Sequence, residues 1–183
     1  MPRRSIWASL TRRGRRVDDA PARSAAATGE RRELTVMFVD LVGSTEMSEV
    51  HEPEVVRDVL RRYHEVAARA IESHHGYIAR YEGDGVLAYF GYPAAREDDA
   101  LQAVRAGLEL LDGLHDAAPG VLEDFGIALE ARVGIHTGLV LVTEIGAAGS
   151  TISDGIIGAA PNEAARLQAV AAAGSVVISD DTH

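Results

Sequence analysis

Two aspartates lie where apolar runs of the sequence end. Asp40 closes the run 34–39, and Asp84 lies in a Glu-Gly-Asp-Gly stretch between two strand-like segments, 77–81 and 86–90. Carboxylates at a strand end and at a hairpin tip can meet at one edge of a sheet. Hard divalent cations such as Mg²⁺ prefer such oxygen ligands beside a nucleoside triphosphate. Taken singly, Asp84 also fits a plain turn and Asp40 a helix start, but as a pair they predict a metal site.

The elements that must position this pair follow from the spacing of apolar residues. Short runs rich in β-branched residues predict strands at 34–40, 77–81, 86–90, 129–136, 139–145 and 176–179. Helical spacing predicts helices over 54–75, 96–115 and 161–170, with a short helix that Ser44 or Thr45 caps and that ends near Val50. Hairpins are expected at Asp84-Gly85 and at Thr137-Gly138, and a loop over 146–155.

This order of elements predicts an α+β fold. We expect a ferredoxin-like βαββαβ core, in which a mainly antiparallel sheet carries its helices on one face. The 183 residues, 46% of them hydrophobic, suffice for one sizeable core. The chain has no cysteine, which excludes a disulfide framework, a thiol nucleophile and a zinc–thiolate site. No apolar run approaches the ~20 residues that span a bilayer, so we expect a cytoplasmic location.

The charge of the chain is unevenly distributed. Residues 1–32 carry nine arginines against three acidic residues, and we interpret them as a basic flexible leader to a domain over 33–183. A second reading of the leader is a weak membrane-surface contact through Ile6, Trp7 and Leu10. No nucleic-acid partner is expected, because the remainder carries a net charge of about −16 and would repel a phosphate backbone.

Four motifs carry a family resemblance. They occur in order at 39–45 (Val-Asp-Leu-Val-Gly-Ser-Thr), 81–85 (Tyr-Glu-Gly-Asp-Gly), 132–138 (Arg-Val-Gly-Ile-His-Thr-Gly) and 161–167 (Pro-Asn-Glu-Ala-Ala-Arg-Leu). In this order and at these separations, the chain resembles the class III adenylate/guanylate cyclase catalytic domain of the bacterial, soluble type, over about residues 33–180. The resemblance implies conversion of ATP to cyclic AMP and pyrophosphate in intracellular signalling.

The resemblance also implies how the site is built. Asp40, Asp84 and the carbonyl of Leu41 would bind two Mg²⁺ or Mn²⁺ ions, which activate the ribose 3′-hydroxyl and neutralise the triphosphate. The backbone of the following turn would cradle the β- and γ-phosphates; its residues are Val42, Gly43, Ser44 and Thr45.

A second pair of residues would complete the site from another subunit. By resemblance, Asn162 orients the ribose and Arg166 stabilises charge on the α-phosphate. Four residues apart on a helix, they share one face. Without the resemblance they would be read as a capping asparagine and a solvated arginine. The family places its sites at a dimer interface, so we expect a homodimer with composite sites.

Three departures from the family pattern bear on activity. Arg80 occupies the position of an adenine-contacting lysine, and Gly155 occupies that of the second base-reading residue. The chain also ends before the family's closing helix, strands and triphosphate-binding basic residue, so we expect a domain truncated at the C-terminus. ATP remains favoured over GTP.

Two alternatives stay open, the first favoured by these departures and the second compatible with the predicted sheet and carboxylates. The first is a weak or inactive cyclase-homology module that binds nucleotide or regulates by dimerisation. The second is a polymerase-palm-like or diguanylate cyclase relative, for which the Gly-Gly-Asp/Glu-Glu-Phe hairpin signature is missing.

Overall fold

The computed structural model describes residues 29–145 and 153–183, so the expected basic leader and its membrane contact lie almost entirely outside the described residues. The strands are β1 (Glu30–Leu41), β2 (Tyr77–Glu82), β3 (Gly85–Phe90), β4 (Ala131–Ile145), β5 (Ser153–Ile157) and β6 (Ser175–Ile178). The helices are α1 (Ser44–Val50), α2 (Pro53–Ser73), α3 (Asp99–Phe125) and α4 (Ala160–Val170), and a 3₁₀ turn follows at Asp180–Thr182.

The strands form one six-stranded sheet in the order β2-β3-β1-β4-β5, and β6 also pairs with β4. Every pairing is antiparallel except that of β6 with β4, which is parallel. Strand β1 is central and pairs along its whole length, from Glu30 opposite Val142 to Leu41 opposite Ala131. The predicted α+β fold with a mainly antiparallel sheet is confirmed.

The alternation of side chains along β1 separates two cores. Met37 and Val39 point into a core with residues of α1, α2 and α3, whereas Leu34 and Val36 point into a second core with residues of α4. Helices therefore cover both faces of the sheet. The expectation of a single helical face holds for α1–α3 and not for α4.

The expected hairpin at Thr137-Gly138 is absent, because β4 runs straight through it. Both residues pair with β1, and the hydroxyls of Thr35 and Thr137 lie 2.9 Å apart. The long β1 therefore holds β4 extended where a Thr-Gly pair suggested a turn. The real partner of the second half of β4 is β5, which starts at Ser153 inside the expected loop.

Two further boundaries differ from the sequence prediction. Helix α3 continues past its expected end at residue 115 and through Pro119, because Val121 is fully buried in the core and the helix ends only at Gly126, with φ at 72°. Strand β1 begins at Glu30, so Arg31 and Arg32 are strand residues opposite Leu141 and Val140 rather than part of a leader.

Among the helices of residues 29–145 and 153–183, none is both long and apolar enough to cross a membrane.

Helix α4 lies exceptionally close to the sheet at Gly134. A Cβ atom there would come within 2.2 Å of both the carbonyl oxygen of Ala164 and the backbone nitrogen of Gln168. Both are backbone atoms of α4, so no side-chain rotation can relieve the clash. The absence of a side chain at residue 134 thus sets the height of α4 above the sheet.

We expect Gly134→Ala to lower the free energy of unfolding by about 3 kcal/mol, because overpacking of this kind displaces backbone. Gly120→Ala is the matched control, since a Cβ at this position of α3 meets nothing within 4 Å. In a helix this control should stabilise by roughly 0.5–1 kcal/mol. Urea unfolding measures both, and equal midpoints for the two variants would show that α4 can move away at no cost.

Candidate active site

The sheet register brings Asp40 and Asp84 together. Val39 pairs with Val86, so Asp40 at the end of β1 lies beside the two-residue turn that joins β2 to β3. The two carboxyl groups lie close enough that Asp84 raises the pKa of Asp40. Both residues are half-buried. Chain topology alone thus assembles the pair that the sequence singled out.

The environment of Asp40 disfavours its charge. Burial, followed by the hydrogen bond to Asp84 and the repulsion from its charge, raises the pKa of Asp40 from 3.8 to about 6. Arg132, directly opposite Asp40 on β4, and Gln168 on α4 act in the other direction. Gln168 donates from Nε2 to Oδ2 of Asp40 over 3.3 Å.

Helix α2 supports the turn that carries Asp84. The ring of His64 packs against Tyr81, with 4.6 Å between ring centroids. Burial lowers the pKa of His64, and the backbone of Gly83 and the charge of Asp84 act in the other direction. Tyr63 is fully buried, and burial together with both aspartates raises its pKa. Helix α2 therefore packs next to the turn that carries Asp84, and the pairing of β1 holds Asp40 in place.

These residues fit a divalent cation. Two half-buried carboxylates in contact repel each other when ionised, and a cation between them would relieve that repulsion. Their oxygen donors suit Mg²⁺ or Mn²⁺. No group of three or more His, Cys, Asp or Glu side chains within the described ranges could hold a metal. Backbone, water and substrate oxygens would therefore have to complete the coordination.

The turn after β1 departs from the expected cap. Gly43, not Ser44 or Thr45, occupies the N-cap position, with φ at 74° and no side-chain cap hydrogen bond. The N–H of Val42 donates to the carbonyl of Glu130 over 2.9 Å, so it is not free for a phosphate. A helix leaves its first N–H groups without intrahelical partners, which keeps those of Gly43, Ser44 and Thr45 as candidates.

Leu41 offers only its backbone to a ligand. Its side chain is 3% exposed and belongs to the core shared with α2 and α3. This is compatible with the expected role of its carbonyl.

Asn162 and Arg166 lie on the outer face of α4, away from the aspartates. The side chain of Arg166 is 73% exposed and pairs with Glu163 over 2.6 Å, and Asn162 is exposed as well. The inner face of the same helix consists of Ala160, Ala164 and Gln168. No contact within the described ranges joins either outer residue to Asp40 or Asp84, so one chain does not bring the two expected pairs together.

The expected base-reading positions are also separate. Arg80, on β2, is 59% exposed and its Nε lies 2.8 Å from Oε1 of Glu82. Gly155 lies on β5, opposite Thr143 of β4.

Sequence reasoning assigned no role to Gln168, Arg132 or His64. Gln168 carries a signal that could have been read, because it is a polar residue on the apolar face of a helix, and a buried amide needs a partner. Arg132 faces α4 only because β4 pairs in this register with β1. His64 lies on a helix far along the chain from the turn that it supports.

We expect Asp40→Asn to stabilise the metal-free protein at pH 7.5, by on the order of 1 kcal/mol after allowance for solvent screening. Asp40 has a higher pKa in the folded than in the unfolded state. Its stabilising contribution is therefore full below pH 3.8 and is lost as the pH rises through about 6. Urea unfolding in EDTA from pH 4 to 8 measures the difference between the two proteins.

Addition of Mn²⁺ should make the wild type more stable than the Asp40→Asn variant, since only the wild type keeps both carboxylates. A difference that does not change with pH or with Mn²⁺ would contradict the mutual repulsion of Asp40 and Asp84.

Comparison with known proteins gives a consistent family. The family model of the adenylate and guanylate cyclase catalytic domain matches residues 27–183 of this chain. The structure of the guanylyl cyclase Cya2 is 37% identical, with a TM-score of 0.80 over 84% of this chain and 78% of that one. The adenylyl cyclase CyaB from P. aeruginosa is 32% identical, with a TM-score of 0.79 over 84% of this chain and 80% of that one.

Among curated proteins, an uncharacterized protein of Rhizobium meliloti (strain 1021) is 36% identical over 163 residues, which make up 89% of this chain and 16% of the relative. The chain thus corresponds to a small part of that relative's length. The fold, the order of the motifs and these matches agree, and the chain belongs to the adenylate and guanylate cyclase catalytic domain family.

Proposed function

We propose that this chain converts ATP to cyclic AMP and pyrophosphate, as a homodimer with composite active sites, in intracellular signalling. The observation that carries the proposal is the contact between Asp40 and Asp84 at one end of the sheet. A cyclase needs such a carboxylate pair beside a triphosphate, and a bound cation would offset the repulsion between the two half-buried acids. We also propose that the domain acts in the cytoplasm, where nucleoside triphosphates are available.

Asp40, Asp84 and the carbonyl of Leu41 would hold two Mg²⁺ or Mn²⁺ ions. When bound, such ions lower the pKa of a ribose 3′-hydroxyl and offset the charge of the triphosphate. The two aspartates fix where the hydroxyl and the α-phosphate meet, so the 3′-oxygen is aligned for attack as pyrophosphate leaves.

The remaining protein groups bind and orient the nucleotide. The N–H groups of Gly43, Ser44 and Thr45 would donate to the β- and γ-phosphates. Arg166 would donate to the α-phosphate oxygens, where negative charge develops during the reaction. Asn162 would hold the ribose so that its 3′-oxygen points at phosphorus.

The separation of the half-sites supports the homodimer. Asn162 and Arg166 lie on the outer face of α4, whereas the aspartates lie at the sheet beneath it, so a nucleotide bound to one pair meets the other pair only on a second subunit. Two-fold symmetry then gives two sites per dimer.

Chain mixing tests the composite site. We expect Asp40→Ala and Arg166→Ala each to lower Mn²⁺-dependent cyclic AMP formation by more than ~100-fold, because each removes charge stabilisation from the reacting phosphates. An equimolar mixture of the two variants should recover about a quarter of wild-type activity, since half of the dimers then contain one intact site.

Product is measured at several protein concentrations. No recovery on mixing would rule out sites shared between subunits, and turnover unaffected by Asp40→Ala would rule out the role of the carboxylate pair.

A second candidate function is that of a weak or inactive cyclase-homology module, and one specific observation favours it. Arg80, at the expected base-reading position, is paired with Glu82 over 2.8 Å, and Gly155 has no side chain to offer. A base bound without these contacts would be held weakly. Nucleotide binding without turnover would then indicate a regulatory module.

Glu82→Gln measures how far this ion pair limits the enzyme. We expect the KM for ATP to fall roughly two- to five-fold with kcat nearly unchanged, because an exposed ion pair is worth about 0.2–1 kcal/mol and Arg80 no longer has to leave it. Glu65→Gln is the control, since it breaks the exposed Arg61–Glu65 pair on α2. A fall in KM in both variants, or in neither, would count against Arg80 as a base contact. GTP assayed in parallel should give less product than ATP.

A further inference from the structure

Gln168 is the polar member of the inner face of α4. Its side chain is only 7% exposed, and the residues one and two turns earlier on that face are Ala164 and Ala160. The Nε2 atom donates to Oδ2 of Asp40 over 3.3 Å. A buried amide is costly unless it finds a partner, and here the partner is a carboxylate of the proposed cation site.

The position of this amide is fixed by backbone packing. At Gly134 the sheet approaches the backbone of α4 so closely that a Cβ would lie 2.2 Å from the nitrogen of Gln168 itself. The backbone of Gln168 therefore lies directly against β4. Because Asp40 is paired to β4 through Arg132, donor and acceptor are held on one rigid unit.

We infer that Gln168 is a positioning residue for the cation site: its amide holds one oxygen of Asp40 and thereby fixes the rotation of that carboxylate. The inference rests on the proposed function. A group that orients a carboxylate ligand contributes to metal affinity without touching the metal. Gln168 would also reduce the freedom of Asp40 to turn toward Arg132, which lies directly opposite it.

Helix α4 then serves two different sites. Its inner residue Gln168 acts on the aspartate of its own chain, whereas its outer residues Asn162 and Arg166 serve the site of the other subunit. The effects of a Gln168 substitution can therefore be assigned to one site or the other by placing it on a chosen chain.

Mn²⁺ binding to the full chain can be measured by electron paramagnetic resonance in the absence of nucleotide. This measurement tests the inference independently of turnover. We expect Gln168→Met, which keeps the volume and removes the donor, to weaken Mn²⁺ binding about 10-fold or more. Gln102→Met is the matched control, because Gln102 donates the same kind of bond to Asp98 over 2.6 Å on α3, outside the site. Gln168→Ala repeats the test with the residue that helices favour most, in case methionine disturbs the packing. Wild-type Mn²⁺ affinity in either folded Gln168 variant would overturn the inference.

Mixed dimers separate positioning from a merely structural role. In the mixture of Asp40→Ala and Arg166→Ala chains, the Arg166→Ala chain gives the aspartates of the one working site. Gln168→Met on that chain should raise the Mn²⁺ concentration for half-maximal activity about 10-fold. On the Asp40→Ala chain it should have no effect.

The outcomes are distinct for each hypothesis. Equal loss from both placements would mean that Gln168 only supports α4, and would overturn the inference. An inactive parental mixture would refute the shared site, whereas the Mn²⁺ titration would still decide the role of Gln168.

Discussion

The contact between Asp40 and Asp84 is unfavourable by itself, and the structure around it supplies the constraint that maintains it. Burial and mutual repulsion both raise the pKa of Asp40. The carboxylates stay together because β1 is paired on both sides, to β3 and to β4, and because His64 of α2 packs against Tyr81 next to the Asp84 turn. Strand pairing and helix packing thus offset the repulsion between the two carboxylates, and a bound cation would remove that repulsion.

The two faces of the sheet are covered by different helices. Helices α1–α3 build the larger core and support the end of β1 that carries Asp40, whereas α4 is the one described helix that covers the other face. Since α4 contacts the sheet through alanines and Gln168, its charged face is left exposed to another molecule. A helix that packs by one narrow inner stripe leaves its outer residues Asn162 and Arg166 exposed, as the proposed composite site requires.

Sequence patterns predicted the fold class better than the connections between its elements. Asp40 and Asp84 could be found because each follows an apolar run, and the register then brings them together. The predicted hairpin at Thr137-Gly138 was wrong, because a Thr-Gly dipeptide favours a turn locally and the pairing with β1 keeps it extended. The extension of α3 through Pro119 depends likewise on tertiary burial of Val121, which no local pattern contains. The outward position of Arg166 follows from α4 packing on the second face, and that choice of face is a property of the whole sheet.

The central place of β1 has a consequence for how the chain folds as it is synthesised. Strand β1 precedes the other described strands along the chain and is the one that both cores require, yet Asp40 meets its partner Arg132 only after about ninety further residues have been made. Until then the apolar side chains of β1 have helices α1–α3 as neighbours on one face, and the face that α4 covers in the folded domain remains open. Such non-local pairing slows folding, since loop closure must precede the contacts that reward it. Nascent chains of this domain would thus depend on protection during the interval before β4 and α4 appear.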